Sequence, residues 1–264
     1  METLVGAKVN LSLAVTGRRD GMHTLDMRVC SVSLGDGVRL SEGGARFSFT
    51  ETPAGFVPAL YTPLLERAYA LMHGEWGGEY SFTIAKRIPH LAGLGGSSAP
   101  VAGMARLWAK ARGVTPDPRF LLRLGSDVPY MFRGGDARVR GTGEEVEGLP
   151  FEEREVLIVT VEGGVDTAKA YALYDGMCGE ERYAHGDGEL FFNDLFPAAV
   201  RLNPRVGDAV RALRALGVKD AVMTGSGSAV CAFSPAGRLL ALQPELSRLG
   251  FGCTMTHTVP ESAL

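Results

Sequence analysis

Apolar residues occupy every second position from Val9 to Val15 near the start of the chain. This period of two is typical of a β-strand with one buried face. Lys8 and Asn10 fall between the apolar positions, so their side chains are predicted to point to the opposite face. Further short β segments are predicted at 28–34, 38–40 and 45–50, separated by glycine-rich stretches that favour tight turns.

The next part of the chain, up to Gly113, contains two stretches with apolar residues at helical spacing. Thr62 and Pro63 open a stretch with apolar residues at helical intervals, which ends at Gly74. An alternating segment at 80–85 predicts another strand, and apolar residues from Val101 onward predict a helix that stops near Gly113. A strand, a glycine-rich loop and a helix therefore follow one another in this region.

The order of elements changes in the last third of the chain. The pattern predicts a strand at 156–161, a helix capped by Thr167, a helix at 204–216 and a final strand at 252–259. Such an order is typical of an α+β layer with helices on one face of an antiparallel sheet. We predict two domains, 1–150 and 151–264, because charged residues and a Leu-Pro pair interrupt the patterns at the boundary.

Composition narrows the function classes. The 264 residues are 45% hydrophobic and carry a net charge of -3, without the long Lys/Arg run that a nucleic-acid interface favours. No stretch approaches the roughly 20 apolar residues of a membrane span, and the sequence predicts a cytosolic protein without a membrane or nucleic-acid partner. The four cysteines lie far apart and predict reduced, buried thiols: Cys30, Cys178, Cys231 and Cys253.

The most informative segment is a glycine-serine loop. Its glycines lack Cβ atoms, so backbone N–H groups can turn toward an anion, and the following helix N-terminus adds further donors. The serine hydroxyls can contact phosphate or ligate Mg²⁺. The segment does not match the phosphate loop with a terminal lysine and serine or threonine. On its own, the loop could equally be a flexible connection. Its residues are Pro89, Ala92, Gly93, Leu94, Gly95, Gly96, Ser97, Ser98 and Ala99.

This segment resembles the phosphate loop of the galactokinase, homoserine kinase, mevalonate kinase and phosphomevalonate kinase (GHMP) superfamily. Three more segments occur in the order typical of the 4-diphosphocytidyl-2-C-methyl-D-erythritol kinase family: 7–11, 124–130 and 224–230. Shorter matches at 19–23, 141–144 and 193–195 extend the resemblance over nearly the whole chain.

The resemblance implies a two-domain fold. It has an N-terminal β-rich α/β domain, a C-terminal α+β domain of the ferredoxin-like type, and ATP and substrate between them. It also implies phosphorylation of the 2-hydroxyl of 4-diphosphocytidyl-2-C-methyl-D-erythritol in the non-mevalonate isoprenoid pathway. ATP and Mg²⁺ are the implied cofactors, and the protein is expected to be a monomer or homodimer.

The resemblance also assigns candidate roles to individual residues. Asp127 is the candidate that orients or deprotonates the substrate hydroxyl, and Lys8 stabilises charge beside it. Ser98 is the candidate Mg²⁺ ligand. From composition alone, Asp127 could instead cap a turn and Lys8 could be an edge-strand charge. Candidate substrate-binding residues are Asn10, Met22, His23, Thr167, Tyr171, Gly225, Ser226 and Gly227.

Two positions depart from the family pattern. Met22 stands where the family usually has an aromatic residue that stacks on cytosine, and a thioether gives a poorer stacking face. Pro100 stands where the family usually has Asp, which removes one N–H donor and one carboxylate. Alternative functions are another GHMP kinase, of the homoserine or mevalonate type, or a nucleotide-binding paralogue without catalysis. A serine hydrolase is disfavoured because no G-x-S-x-G segment occurs.

Overall fold

A computed structural model of the chain describes residues 1–53, 56–177 and 189–261, so Cys178 lies outside the described residues. Within these ranges the chain forms a seven-stranded and a four-stranded sheet with helices packed on them. The elements of the N-terminal part are β1 (Glu2–Arg19), β2 (Met22–Ser41), β3 (Phe47–Glu51), α1 (Pro58–Trp76), β4 (Ser81–Ala85), α2 (Ser98–Arg112), α3 (Pro118–Leu124), α4 (Val128–Arg133), β5 (Ala137–Gly141) and β6 (Glu145–Gly148). Those of the C-terminal part are β7 (Glu155–Thr160), α5 (Thr167–Asp175), β8 (Phe192–Asn193), α6 (Phe196–Leu202), α7 (Pro204–Ala215), β9 (Ala221–Met223), β10 (Val230–Phe233), α8 (Ala236–Arg248) and β11 (Gly252–His257).

The long antiparallel hairpin of β1 and β2 forms the centre of the larger sheet. The prediction of one buried face is wrong in the middle of β1, because Lys8 and Asn10 are also buried, with exposures of 5% and 0%. The polar face of β1 is covered by other parts of the chain, and Lys8 N–H donates to the Leu94 carbonyl at 3.0 Å. A buried polar face must be satisfied by specific partners, and this one belongs to the candidate site.

The predicted turn at 35–37 is also wrong, since β2 continues through it as one strand. Gly35 serves a close approach instead. A Cβ atom built at this residue would lie 2.5 Å from the Val5 carbonyl oxygen, on the paired strand. The register of the β1–β2 pair shifts beside this contact, as expected at a β-bulge.

The helix predictions are correct in type but not at every boundary. Helix α1 begins at Pro58, four residues before the predicted start at Thr62. Pro63 therefore lies inside the helix. Helix α2 ends as predicted at Gly113, which is left-handed with φ of 65°. The cap of α5 is Asp166 rather than Thr167, because the Asp166 side chain accepts a hydrogen bond from Lys169 N–H.

The smaller sheet has the antiparallel order β11-β7-β10-β9. With α5 to α7 before β9 and α8 before β11, this is the split β-α-β arrangement of the ferredoxin-like type. The predicted α+β class is therefore confirmed. The two sheets meet where Thr256 Oγ1 accepts a hydrogen bond from Leu34 N–H at 3.1 Å. This contact brings β11 against β2.

The described cysteines are not paired in disulfides: Cys30, Cys231 and Cys253. Cys30 and Cys231 are fully buried, and burial raises the pKa of both thiols. Cys253 is only partly buried. Within the described residues, the prediction of buried thiols therefore holds for Cys30 and Cys231 but not fully for Cys253. Over the same ranges, we find no helix with the length and apolar character that a bilayer crossing needs.

Candidate active site

The two predicted catalytic residues form an ion pair. Lys8 Nζ, on β1, lies 2.9 Å from Asp127 Oδ1, just before α4. The Lys8 side chain is 6% exposed and that of Asp127 is 30% exposed, so the carboxylate is the more accessible partner. The Asp127 side chain makes no capping hydrogen bond to α4, which argues against the alternative role of a helix cap. The burial of the Lys8 side chain likewise argues against the alternative role of an exposed charge on an edge strand.

Two glycine-rich loops interlock beside this pair. Gly93 and Gly225 are both left-handed, with φ of 73° and 56°. A Cβ atom built at Gly93 would lie 2.2 Å from the Thr224 carbonyl oxygen, and one built at Gly225 would lie 2.6 Å from the Gly93 carbonyl oxygen. Backbone contact this close excludes any side chain at either position. The late loop is therefore a rigid partner of the glycine-serine loop.

Asn10 joins the late loop to the central hairpin. Its Oδ1 accepts from Gly225 N–H at 2.9 Å, and its backbone N–H donates to Thr224 Oγ1 at 3.1 Å. Asn193, in the matched segment 193–195, donates from Nδ2 to the carbonyl oxygens of Met223 and Gly225 at 2.7 and 2.8 Å. Asn10 is fully buried, so in this structure its amide holds the loop, and its proposed substrate contact stays a prediction.

The glycine-serine loop leads directly into α2. Gly95 carbonyl oxygen accepts from the N–H groups of Ser98 and Ala99, both at 3.0 Å, and closes the turn at the helix start. Pro100 lies in the first turn of α2, where backbone N–H groups have no intrahelical partner, so the ring costs the helix no hydrogen bond. Ser97 faces the cavity described below, while Ser98 is half-buried and does not line it.

A buried ion pair that the sequence analysis missed lies beneath this loop. Lys86 Nζ is 2.7 Å from Asp36 Oδ2, and both side chains are 0% exposed. Lys86 also donates to the Ile88 carbonyl at 2.8 Å, while Asp36 Oδ1 accepts from Arg87 and Ile88 N–H groups at 2.7 and 2.9 Å. Burial lowers the pKa of Lys86 and raises that of Asp36, since loss of water disfavours both charges. The pair anchors the start of the loop. The sequence feature that could have indicated it is a lysine directly after a predicted strand and shortly before Pro89.

The predicted base-binding residues cluster at the hairpin tip. The His23 and Tyr171 rings stack with centroids 4.5 Å apart and planes at 25°. His23 Nε2 also lies 2.7 Å from Asp175 Oδ1, at the end of α5. Burial, together with the nearby Asp127 charge, raises the pKa of the Tyr171 hydroxyl. Met22 lies beside this group but is 55% exposed.

Thr167 and Ser226 close the opposite side, with their hydroxyl oxygens 2.7 Å apart. The cavity between these groups measures about 270 Å³. It brings together residues from the N-terminal and C-terminal parts of the chain. The predicted site residues that line this cavity are Lys8, Pro89, Ala92, Gly93, Gly95, Gly96, Ser97, Asp127, Thr167, Tyr171, Gly225, Ser226 and Gly227. The predicted site residues outside the lining are Asn10, Met22, His23, Leu94, Ser98 and Ala99.

The fold and the glycine-serine loop together are those of the small-molecule kinase class. Two family models match the chain, the GHMP kinases N terminal domain at residues 63–136 and the GHMP kinases C terminal at residues 181–257. The chain belongs to the GHMP kinase family. This membership confirms the predictions of the GHMP fold and of an ATP-dependent kinase.

Its relatives are more specific. A 4-diphosphocytidyl-2-C-methyl-D-erythritol kinase of Desulfitobacterium hafniense (strain Y51) is 34% identical over 252 residues, covering 87% of this chain and 86% of that protein. The kinase of the same name from Thermobifida fusca (strain YX) is 35% identical, covering 87% and 85%. These similarities confirm the resemblance that the ordered motifs indicated.

Solved structures agree with this result. A crystal structure of 4-(cytidine 5'-diphospho)-2C-methyl-D-erythritol kinase matches with a TM-score of 0.79 and 27% identity, covering 98% of this chain and 99% of that one. A homoserine kinase from Cytophaga hutchinsonii has a TM-score of 0.66 at 17% identity, covering 98% and 95%. The homoserine kinase shares the fold, and its low identity carries no inference about substrate.

Proposed function

We propose that this chain transfers the γ-phosphoryl group of ATP to the 2-hydroxyl of 4-diphosphocytidyl-2-C-methyl-D-erythritol. The observation that carries the proposal is the Lys8–Asp127 ion pair at the edge of a cavity bordered by two interlocked glycine loops. The names of the relatives supply the substrate. Phosphoryl transfer depends mainly on positioning and charge stabilisation, which this arrangement offers.

Asp127 accepts a hydrogen bond from the attacking hydroxyl and takes its proton as the new oxygen–phosphorus bond forms. The bond between the γ-phosphorus and the bridging oxygen breaks, and ADP leaves. Lys8 stabilises negative charge on the transferred group and holds the Asp127 carboxylate in place. Both roles need the 2.9 Å contact that the fold provides.

The glycine-serine loop is the proposed ATP phosphate site. Its segment from Gly93 to Ser98 ends at the start of α2, where the positive end of the helix dipole favours an anion. The buried Lys86–Asp36 pair supports the loop from below: a Cβ atom at Gly96 would lie 3.4 Å from Lys86 Nζ. Pro100 lacks an N–H group, but this breaks no hydrogen bond within α2, because N–H groups of the first helical turn have no intrahelical partner.

Mg²⁺ fits the oxygen donors at this end of the cavity. The hydroxyls of Ser97 and Ser98 and the carboxylate of Asp127 are hard ligands of the kind that Mg²⁺ prefers. Among the described residues, no cluster of three or more His, Cys, Asp or Glu side chains forms a protein cage for a metal. Such an ion would be held largely by nucleotide phosphates and would supply positive charge to the transferred group. Ser98 remains our candidate ligand.

A substrate panel tests the proposal. The purified chain is incubated with ATP, Mg²⁺ and, in turn, the cytidyl methylerythritol diphosphate, homoserine, mevalonate and galactose, while ADP release is followed. We expect turnover with the cytidyl compound only. Turnover with homoserine or mevalonate instead would reassign the substrate within the family, and calorimetry without ATP binding at millimolar nucleotide would contradict the kinase assignment itself.

A further inference from the structure

The C-terminal end of α5 carries an acidic residue that the helix itself does not need. Asp175 is the last residue of α5, where the negative end of the helix dipole disfavours a carboxylate. Its side chain nevertheless makes two specific contacts across to the hairpin tip. Oδ1 lies 2.7 Å from His23 Nε2, and Oδ2 pairs with the Arg18 guanidinium. These contacts point to a role outside helix stability.

The contacts fix the chemistry of the imidazole. Although partial burial alone would raise the pKa of Asp175, His23 and Arg18 lower it below its usual range, so the carboxylate is ionised and can only accept. His23 Nε2 must therefore carry the proton in this contact. In the neutral ring the other nitrogen, Nδ1, is then an acceptor. Over the described residues, Nδ1 has no hydrogen-bond partner.

The ring is also held in place sterically. It stacks on Tyr171, which lines the cavity, so Tyr171 joins the His23 ring to the substrate end although His23 is not itself a lining residue. Only 12% of the His23 side chain is exposed. A ring clamped by a stack on one face and an anion at one nitrogen has little freedom to rotate.

We infer that Asp175, braced by Arg18, is a positioning residue that keeps His23 in the Nε2-protonated form and offers Nδ1 to the exocyclic amino group of the substrate's pyrimidine base. This inference rests on the proposed function, which supplies the pyrimidine. It explains how base recognition persists although Met22 replaces an aromatic residue at the tip. Specificity then depends on a fixed imidazole acceptor rather than on a second stacking ring.

The test combines kinetics with a direct readout of the tautomer. Asp175→Ala should raise KM for the cytidyl substrate about tenfold, the equivalent of one charge-assisted hydrogen bond, while kcat and KM for ATP stay within twofold. Asp175→Glu, which keeps the carboxylate, should restore most of the affinity. Asp208→Ala is the matched control, because Asp208 pairs with Arg205 and Arg211 on the surface of α7 and lies outside the cavity lining.

Nitrogen-15 NMR of the unaltered protein measures the His23 tautomer without any substitution, with His23→Asn used to assign the signal. We expect Nε2 to be protonated, and Asp175→Ala to shift the population toward Nδ1 protonation. A wild-type ring protonated at Nδ1, or an unchanged KM in Asp175→Ala, overturns the inference. Failure of the proposed function looks different, since the unaltered protein would then not phosphorylate the cytidyl compound at all.

Discussion

Replacing Asp127 by Asn isolates its charge from its shape. The substitution keeps the size of the side chain and removes the anion 2.9 Å from Lys8 Nζ. Because the Asp127 side chain caps no helix and is 30% exposed, we expect little change in the melting temperature. Loss of general-base assistance should lower kcat by about 10²–10⁴-fold, which corresponds to about 3–5 kcal/mol of activation free energy.

Lys8→Ala should reduce kcat by a similar factor through lost charge stabilisation. The double variant should fall less than the product of the two single effects, since both residues act in one transition state. Initial-rate ADP assays at saturating substrates measure all three variants. Glu66→Gln is the control, because it breaks an exposed ion pair with Arg46 that lies outside the cavity lining.

A turnover of Asp127→Asn within about threefold of the parent, with an unchanged melting temperature, would refute this mechanism. The carboxylate would then have no part in removing the hydroxyl proton. Strictly multiplicative effects in the double variant would indicate that Lys8 and Asp127 serve separate steps. Either result would require a different pair of catalytic groups.

Three further predictions concern the substrate end, the loops and the buried ion pair. Met22→Tyr should lower the calorimetric Kd for the cytidyl substrate, since stacking of a base on an aromatic side chain contributes roughly 1–3 kcal/mol; an unchanged Kd would mean that the base lies elsewhere. Gly93→Ala should destabilise the fold in urea far more than Gly43→Ala, because both residues are left-handed but only Gly93 would clash, with Thr224. Lys86→Met should reduce the free energy of unfolding by about 3–5 kcal/mol, because it leaves a buried carboxylate without its cation; a loss below about 1 kcal/mol would contradict the buried pairing.

The sequence predicted the parts of the fold that depend on local pattern. Helix α2 ended at Gly113 as expected, because a glycine after an apolar helical face is a local signal. The turn predicted at 35–37 does not form, since Gly35 allows close contact with Val5 on a neighbouring strand. Only tertiary packing distinguishes these two uses of glycine.

The same limit applies to the site. Lys8 and Asp127 are 119 positions apart, and the ordered motifs identified both before their contact was known. Asp36 and Lys86 carried no motif, and their pairing depends on β2 and β4 lying side by side. Asp175 was missed because nothing in the local pattern shows that α5 ends against the hairpin tip. Long-range contacts of this kind follow from the assembled fold.

The position of the transferred phosphoryl group tests the central claim most directly. The purified chain is incubated with ATP, Mg²⁺ and the cytidyl methylerythritol diphosphate, and the product is analysed by phosphorus-31 NMR. Carbon 2 of the substrate bears a methyl group and no hydrogen, so phosphorylation of the 2-hydroxyl should give a new phosphomonoester signal without three-bond coupling to a proton. A signal split by such coupling, or ADP formed without a new phosphomonoester, would contradict phosphorylation of the 2-hydroxyl.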